Sequence, residues 1–174
     1  MLDTWTQKAN FDGAARFYAS CFSMGNKGYV GTGINQFDVY KDLWEYNSQT
    51  DSWTQKSDLV GDPRFWSLGF SIGSKGYIGT GTGVGLNKDL WQYNPSSDSW
   101  TQKADLPGSA RAYAIGFAIN GKGFIGTGLV NVSTDECTND IWEYDPLANS
   151  WSQKANFPSL QHQDGFPSYS GCER

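Results

Sequence analysis

The sequence predicts an all-β fold made of three successive units, each of four short antiparallel strands. Three observations predict it. The strip Trp-Thr-Gln-Lys recurs at Trp5, Trp53 and Trp100, and as Trp-Ser-Gln-Lys at Trp151, a period of about fifty residues. Between the strips, short runs rich in aromatic and β-branched residues alternate with clusters of Gly, Asn, Asp and Ser, which is the pattern of strands joined by tight turns. Nothing reads as a helix. Units of this kind bury their apolar faces only by stacking on their neighbours, so function is sought in what differs between copies.

In the first unit, strand A falls at 17–24, B at 28–33, C at 42–46 and D at 52–59. Strand A returns at 65–72 and 112–119, B at 75–81 and 122–128, and C at 89–93 and 140–144. Gly25-Asn26, Gly73-Ser74 and Asn120-Gly121 stand between A and B, where a two-residue hairpin needs positive φ. Residues 47–51, 94–98 and 145–149 turn C into D. Residues 4–11 repeat strand D alone, as an orphan N-terminal strand. The three units span 16–59, 64–106 and 111–157, and an irregular tail follows at 158–174. Lys8, Lys56, Lys103 and Lys154 fall on the outermost strand, where a charge discourages pairing with another chain.

With 174 residues, 38% hydrophobic and 16% aromatic, the chain has material for a packed core. A net charge of −5 and scattered lysines and arginines offer no basic stripe for phosphates, so nucleic acid is not an expected partner. No apolar run approaches the roughly twenty residues of a membrane helix, and the N-terminus lacks the basic and apolar regions of a signal peptide. Membrane insertion is not expected. Three cysteines, Cys21, Cys137 and Cys172, show no CxxC spacing and imply neither a zinc site nor a disulfide framework. Cys137 and Cys172 would be free to pair in an exported protein, and Cys21 is expected to pack on an inner strand as a small apolar residue.

A glycine-containing strand after an aromatic-aliphatic pair, then Asp-(Leu/Ile)-Trp-x-Tyr, then a turn and Trp, closely resembles the kelch repeat. The resemblance covers about nine-tenths of the chain and implies a β-propeller. Gly31-Thr-Gly33, Gly79-Thr-Gly81 and Gly126-Thr-Gly128 replace the usual glycine doublet, a variant associated with bacterial relatives and with the broader galactose oxidase and kelch superfamily. A secreted or extracytoplasmic location is favoured by that resemblance only. Closed propellers have four to eight blades, so three leave an open, partial ring. At roughly 25 cal/mol per Å2, two uncovered faces of several hundred Å2 would each cost on the order of 10 kcal/mol. A segment of a longer propeller, a truncated copy, or a protomer that completes a ring by self-association would each meet that cost.

Strand order places the D-to-A and B-to-C connections on one face and the A-to-B and C-to-D hairpins on the other. The B-C loops 34–40, 82–87 and 129–138 diverge completely, and variation on a constant scaffold is where recognition resides. Neutral drift in exposed loops is the competing reading. Arg16, Arg64 and Arg111 each begin strand A near the channel mouth. They are candidates for binding acidic groups, as rim arginines of kelch domains can, or for pairing with a carboxylate or carbonyls of a neighbouring loop. Asp42, Asp89 and Asp140 read as structural turn residues. Phe37, Asp38 and Tyr40, Trp66 and Asn87, and Tyr113, Asn131 and Asp135 complete the candidate binding rim. The aromatics that follow the arginines would line a carbohydrate-stacking surface or serve as core.

No catalytic constellation is expected. The copper site of galactose oxidase needs two histidines, and this chain has one, His162 in the tail. Gly121 to Gly126 fits GxGxxG spacing but leads into a strand, not a helix. Asp135, Glu136, Asn139 and Asp140 lack EF-hand spacing and read as a solvated acidic loop. Asn131-Val-Ser133 is a glycosylation sequon that matters only in a eukaryotic secretory setting. No metal or cofactor is expected. The leading expectation is a non-enzymatic propeller module that binds a protein or carbohydrate through the B-C and D-A loops. The alternatives are a fragment of a sugar-handling enzyme, of mutarotase or oxidase type, and a purely structural repeat of a cell-surface protein.

Overall fold

A computed structural model describes residues 4–158. Gly25, at φ 59°, and Asn26 join β1 (Ser20–Met24) to β2 (Lys27–Gly31) and set Met24 opposite Lys27. A residue tolerant of positive φ closes such a turn with the twist the two strands require. β3 (Leu43–Asn47) and β4 (Ser52–Lys56) continue the antiparallel meander in the order β1-β2-β3-β4. The second sheet repeats it with β5 (Leu68–Ile72), β6 (Lys75–Gly79), β7 (Leu90–Asn94) and β8 (Ser99–Lys103). In the third, β9 (Ile115–Ile119) and β10 (Lys122–Gly126) are followed by a small hairpin, β11 (Leu129–Asn131) with β12 (Glu136–Cys137). β13 (Ile141–Asp145) and β14 (Ser150–Lys154) then complete that sheet.

The three inner strands lie side by side, β1 against β5 and β5 against β9, while β1 and β9 do not meet. The sheets are thus three blades of an open, partial propeller, all-β throughout the described residues. Each seam between blades holds one core layer. Phe22, Tyr29, Leu43, Leu59, Ile78, Tyr93 and Trp100 fill the first. Leu68, Phe70, Tyr77, Leu90, Leu106, Ile125 and Tyr144 fill the second, all but Leu68 in equivalent positions, and Trp151 packs against it where Trp100 stands in the first. Close approach depends on a glycine of the following blade. A Cβ on Gly76 would lie 2.1 Å from the Phe22 ring, and one on Gly123 would lie 2.7 Å from Phe70.

Strand limits depart from the sequence expectation where the backbone turns left-handed. Strand A begins at Ser20 and not at 17, because Tyr18 takes φ 57° and leaves only an isolated bridge from Phe17 to Ile34. Strand B ends at Gly31, because Thr32 takes φ 61°. Strand D ends at Lys56, because the Ser57 N–H turns away to Asp98 Oδ1 at 3.0 Å. Residues 4–11, expected as an orphan strand, form no ladder, since no strand C lies beside them. Ala9 is clasped instead. Its N–H donates to Asp51 Oδ1 at 3.0 Å and its carbonyl accepts from Trp53 Nε1 at 3.3 Å.

That clasp explains the repeated strip. Ser57 is held in the same two ways by Asp98 and Trp100, and Ala104 by Asn149 and Trp151. The strip leaving one outer strand is therefore pinned to the outer turn of the next blade. Of the expected tail, only Pro158 is among the described residues. His162 and Cys172, the expected partner of Cys137, lie outside them. Cys21 is an exposed free thiol and not a packed apolar residue, because its side chain points to the uncovered face of β1.

Gly76→Ala should lower stability by about 1–3 kcal/mol, because the Phe22 ring must leave its seat. A urea melt reads this as a lower midpoint, and Gly85→Ala, in an open loop, should leave the midpoint unchanged.

Candidate functional site

The loop face is built on one polar staple used three times. The guanidinium of Arg64 grips Asp89 with both terminal nitrogens, Nη2 to Oδ2 at 2.7 Å. Nη1 also donates to the Thr80 carbonyl at 3.1 Å, and Nε donates to the Asp62 carbonyl at 3.0 Å. Trp91 Nε1 adds a donor to Asp89 at 2.6 Å. Arg111 makes the same set with Asp140, Thr127, Ser109 and Trp142. Arg16 makes it with Asp42, Thr32, Ala14 and Trp44, its guanidinium resting 4.1 Å over the Tyr40 ring.

Arg64 and Arg111 are fully buried, and the Arg16 side chain nearly so. The rim role expected of the arginines is corrected by this burial. They pair with carboxylate and carbonyls, the competing reading, and have no free donor edge for a ligand. Asp42, Asp89 and Asp140 are structural, as expected. Burial pushes each carboxyl up, but the hydrogen bonds and charge of its arginine and tryptophan outweigh that and hold it below the ordinary carboxylate range.

The staples fix the loops above them. The threonine of each Gly-Thr-Gly sits at positive φ, 61° for Thr32, 58° for Thr80 and 56° for Thr127, a conformation that strains a β-branched residue. Its carbonyl is thereby aimed at the arginine. The following glycine reaches the next blade, Gly33 N–H to the Arg64 carbonyl at 2.7 Å and Gly81 N–H to the Arg111 carbonyl at 2.8 Å. Two residues after each arginine stands an aromatic at positive φ: Tyr18, Trp66 and Tyr113, at 57°, 54° and 56°. Tyr113 N–H donates to the Trp66 carbonyl at 3.0 Å. The rings converge at the axis, Trp66 stacked on Tyr113 at 4.0 Å and Tyr18 edge-on to Trp66 at 5.3 Å. The indole N–H of Trp66 is buried there without an acceptor.

The variable loops surround this cluster. Each carries an exposed apolar residue at its tip: Phe37 is 84% exposed, Val84 98% and Val132 55%. Asp38 closes a turn on Asn35, and the Tyr40 hydroxyl accepts from Asn35 Nδ2. The backbone of Asn87 bridges two segments, its N–H donating to the Gly81 carbonyl and its carbonyl accepting from Arg111 N–H. Asn131 caps the third loop by accepting from Ser133 N–H at 3.0 Å, and Asp135 is exposed at φ 51°. The aromatics that follow the arginines, Phe17, Tyr18, Phe65, Trp66 and Tyr113, were expected at the channel mouth or as core, whereas Val84 and Val132 were not singled out within their loops. On the opposite face, an open cleft of about 460 Å3 lies between the hairpins of blades 1 and 2. Its one charged group, Lys27, is already bonded to Glu45 at 2.6 Å.

No protein-family model matches the chain, and no curated protein matches it. Among solved structures, that of YjhT is similar, with a TM-score of 0.73 and 21% identity over 90% of this chain. The chain spans 56% of the length of that structure. At this identity the likeness is one of fold, a β-propeller.

Asp89→Asn should cost about 3–5 kcal/mol by leaving the Arg64 charge buried and unpaired, and a denaturant melt measures it. The three carboxyls titrate lower in the folded chain than in the unfolded one. Their contribution is therefore complete above about pH 5 and is lost as pH falls from the ordinary carboxylate range through the lower folded pKa, so stability should fall with pH over that window and Asp89→Asn should flatten the slope.

Proposed function

We propose that this chain is a non-enzymatic, kelch-type propeller module that binds a protein partner through its B-C and D-A loop face. The observation that carries the reading is the ring of Tyr18, Trp66 and Tyr113, held at positive φ in all three blades and surrounded by an exposed apolar residue in every variable loop. Left-handed backbone at a non-glycine residue costs on the order of 1–3 kcal/mol, and repeated strain of this kind gathers at binding sites. Tyrosine and tryptophan at the centre of an apolar patch, with divergent loops around them, match the anatomy of protein-binding hot spots. The partly buried carboxylates Asp42, Asp89 and Asp140 of this face are committed to arginines, which leaves them unsuited to acid-base work.

A carbohydrate partner is the second reading, favoured by the Trp66 indole N–H that lacks an acceptor beside two partly exposed tyrosine rings. Both readings place the ligand on the same face. The two are separated by panning the intact chain against a displayed peptide library and a glycan array.

Binders selected in this way should lose about 30-fold in affinity on Tyr18→Ser or Phe37→Ser, the size of one aromatic hot spot. They should ignore Ser74→Ala on the opposite face. Binders that respond only to the opposite face would overturn the reading, and a response confined to glycans would select the second one.

A further inference from the structure

The seams inside the chain use one fit twice, and the open ends of the arc carry its two unused halves. Phe117 on blade 3 stands where Phe22 and Phe70 stand on blades 1 and 2. It is 44% exposed, against 7% and 4% for its counterparts. Ile115, Ile119 and Phe157 are exposed around it. At the other end, Gly28 stands where Gly76 and Gly123 receive those phenylalanines, and a Cβ there would meet nothing within 4 Å. Val30 and Tyr46 beside it are partly exposed, whereas their counterparts Ile78 and Tyr93 are buried. One end thus carries the phenylalanine and the other its glycine seat, with Cys21 standing where the inner strands received at the internal seams carry Gly69 and Gly116.

We propose that two copies of this chain close head to tail, the Phe117 face of each docking on the Gly28 face of the other. A second copy is the occupant argued for because both halves of the fit are on this chain, already proven against each other at its two internal seams. This inference does not rest on the loop-face reading and concerns a different surface.

Closure exchanges one strip for another. Phe11 occupies the outer part of the blade 1 face, its ring 5.7 Å from Trp44 and 5.0 Å from Trp53, with Ala9 in the clasp. Residues 151–157, Trp-Ser-Gln-Lys-Ala-Asn-Phe, repeat residues 5–11 except for one Ser in place of Thr. Phe157 and Ala155 of the second copy therefore take the seats of Phe11 and Ala9. Phe11 acts as an internal competitor of the pair.

Sedimentation equilibrium tests this on the intact chain. Wild type should reach twice the 19.2 kDa chain mass. Phe117→Asp, at an exposed position, and Gly28→Trp, where a side chain meets open space, should each give a monomer with an unchanged circular dichroism spectrum. Mixing those two variants should restore pairs, because one intact seam forms from the Phe117 of one and the Gly28 of the other. Phe11→Ala should tighten the wild-type pair at least about tenfold. A wild-type monomer at about 100 μM, pairs that survive both substitutions, or variants that fail to complement when mixed would each overturn the proposal.

Discussion

A guanidinium taken out of water beside each inner strand is tolerable only if its nitrogens find acceptors, and in each blade all three do. Arginine reaches the carboxylate that opens strand C, the carbonyl of the Gly-Thr-Gly threonine and a carbonyl two residues behind itself. Three chain segments distant in sequence are tied at one point, and the tryptophan of strand C adds its N–H to the same carboxylate. Fork geometry makes arginine the residue suited to this, because a lysine gathers its three donors on one nitrogen and cannot span these acceptors. Everything on the loop face hangs from it: the left-handed threonine, the glycine that reaches the next blade, and the left-handed aromatic at the axis.

The remaining stability is divided between two other repeated devices, which act at different radii. Near the axis an inner-strand phenylalanine fills the space above a glycine in the next blade, where shape alone sets the spacing of the sheets. At the rim the outer turn clasps the strip leaving the preceding blade through one backbone N–H and one carbonyl. Because both devices join neighbours only, the assembly is nearly one-dimensional, and each end exposes half of a joint. The loops above add one backbone bond at the last residue of each of the first two, from Arg64 N–H to the Tyr40 carbonyl and from Arg111 N–H to the Asn87 carbonyl. Their sequences diverge freely, and their apolar tips remain in solvent.

The repeat could be read from the sequence because its signals are local. Strand alternation, two-residue turns at Gly25, Gly73 and Asn120, and the tryptophan strips depend on neighbours within a few residues. The order of strands and the open, three-bladed arc followed from them. Strand limits were misplaced where tertiary hydrogen bonds reward a left-handed residue: Tyr18, Thr32 and their equivalents carry β-forming side chains yet leave the ladder. The small hairpin β11–β12 was missed for a related reason, since it is two or three residues long and pairs across a loop with no turn dipeptide to mark it.

For the candidate site, the sequence by itself determined which face varies and which residues repeat at fixed offsets: arginine, aspartate and the aromatic after each arginine. It did not determine whether an arginine faces a ligand or a partner in its own blade, because Arg64 and Asp89 are separated by a whole hairpin and an extended loop. Only the tertiary structure brings that carboxylate within 2.7 Å of the guanidinium and withdraws the arginine from solvent. It likewise decided that Tyr18, Trp66 and Tyr113 meet one another, since their convergence is a property of how three blades fan about an axis and not of any one blade's sequence.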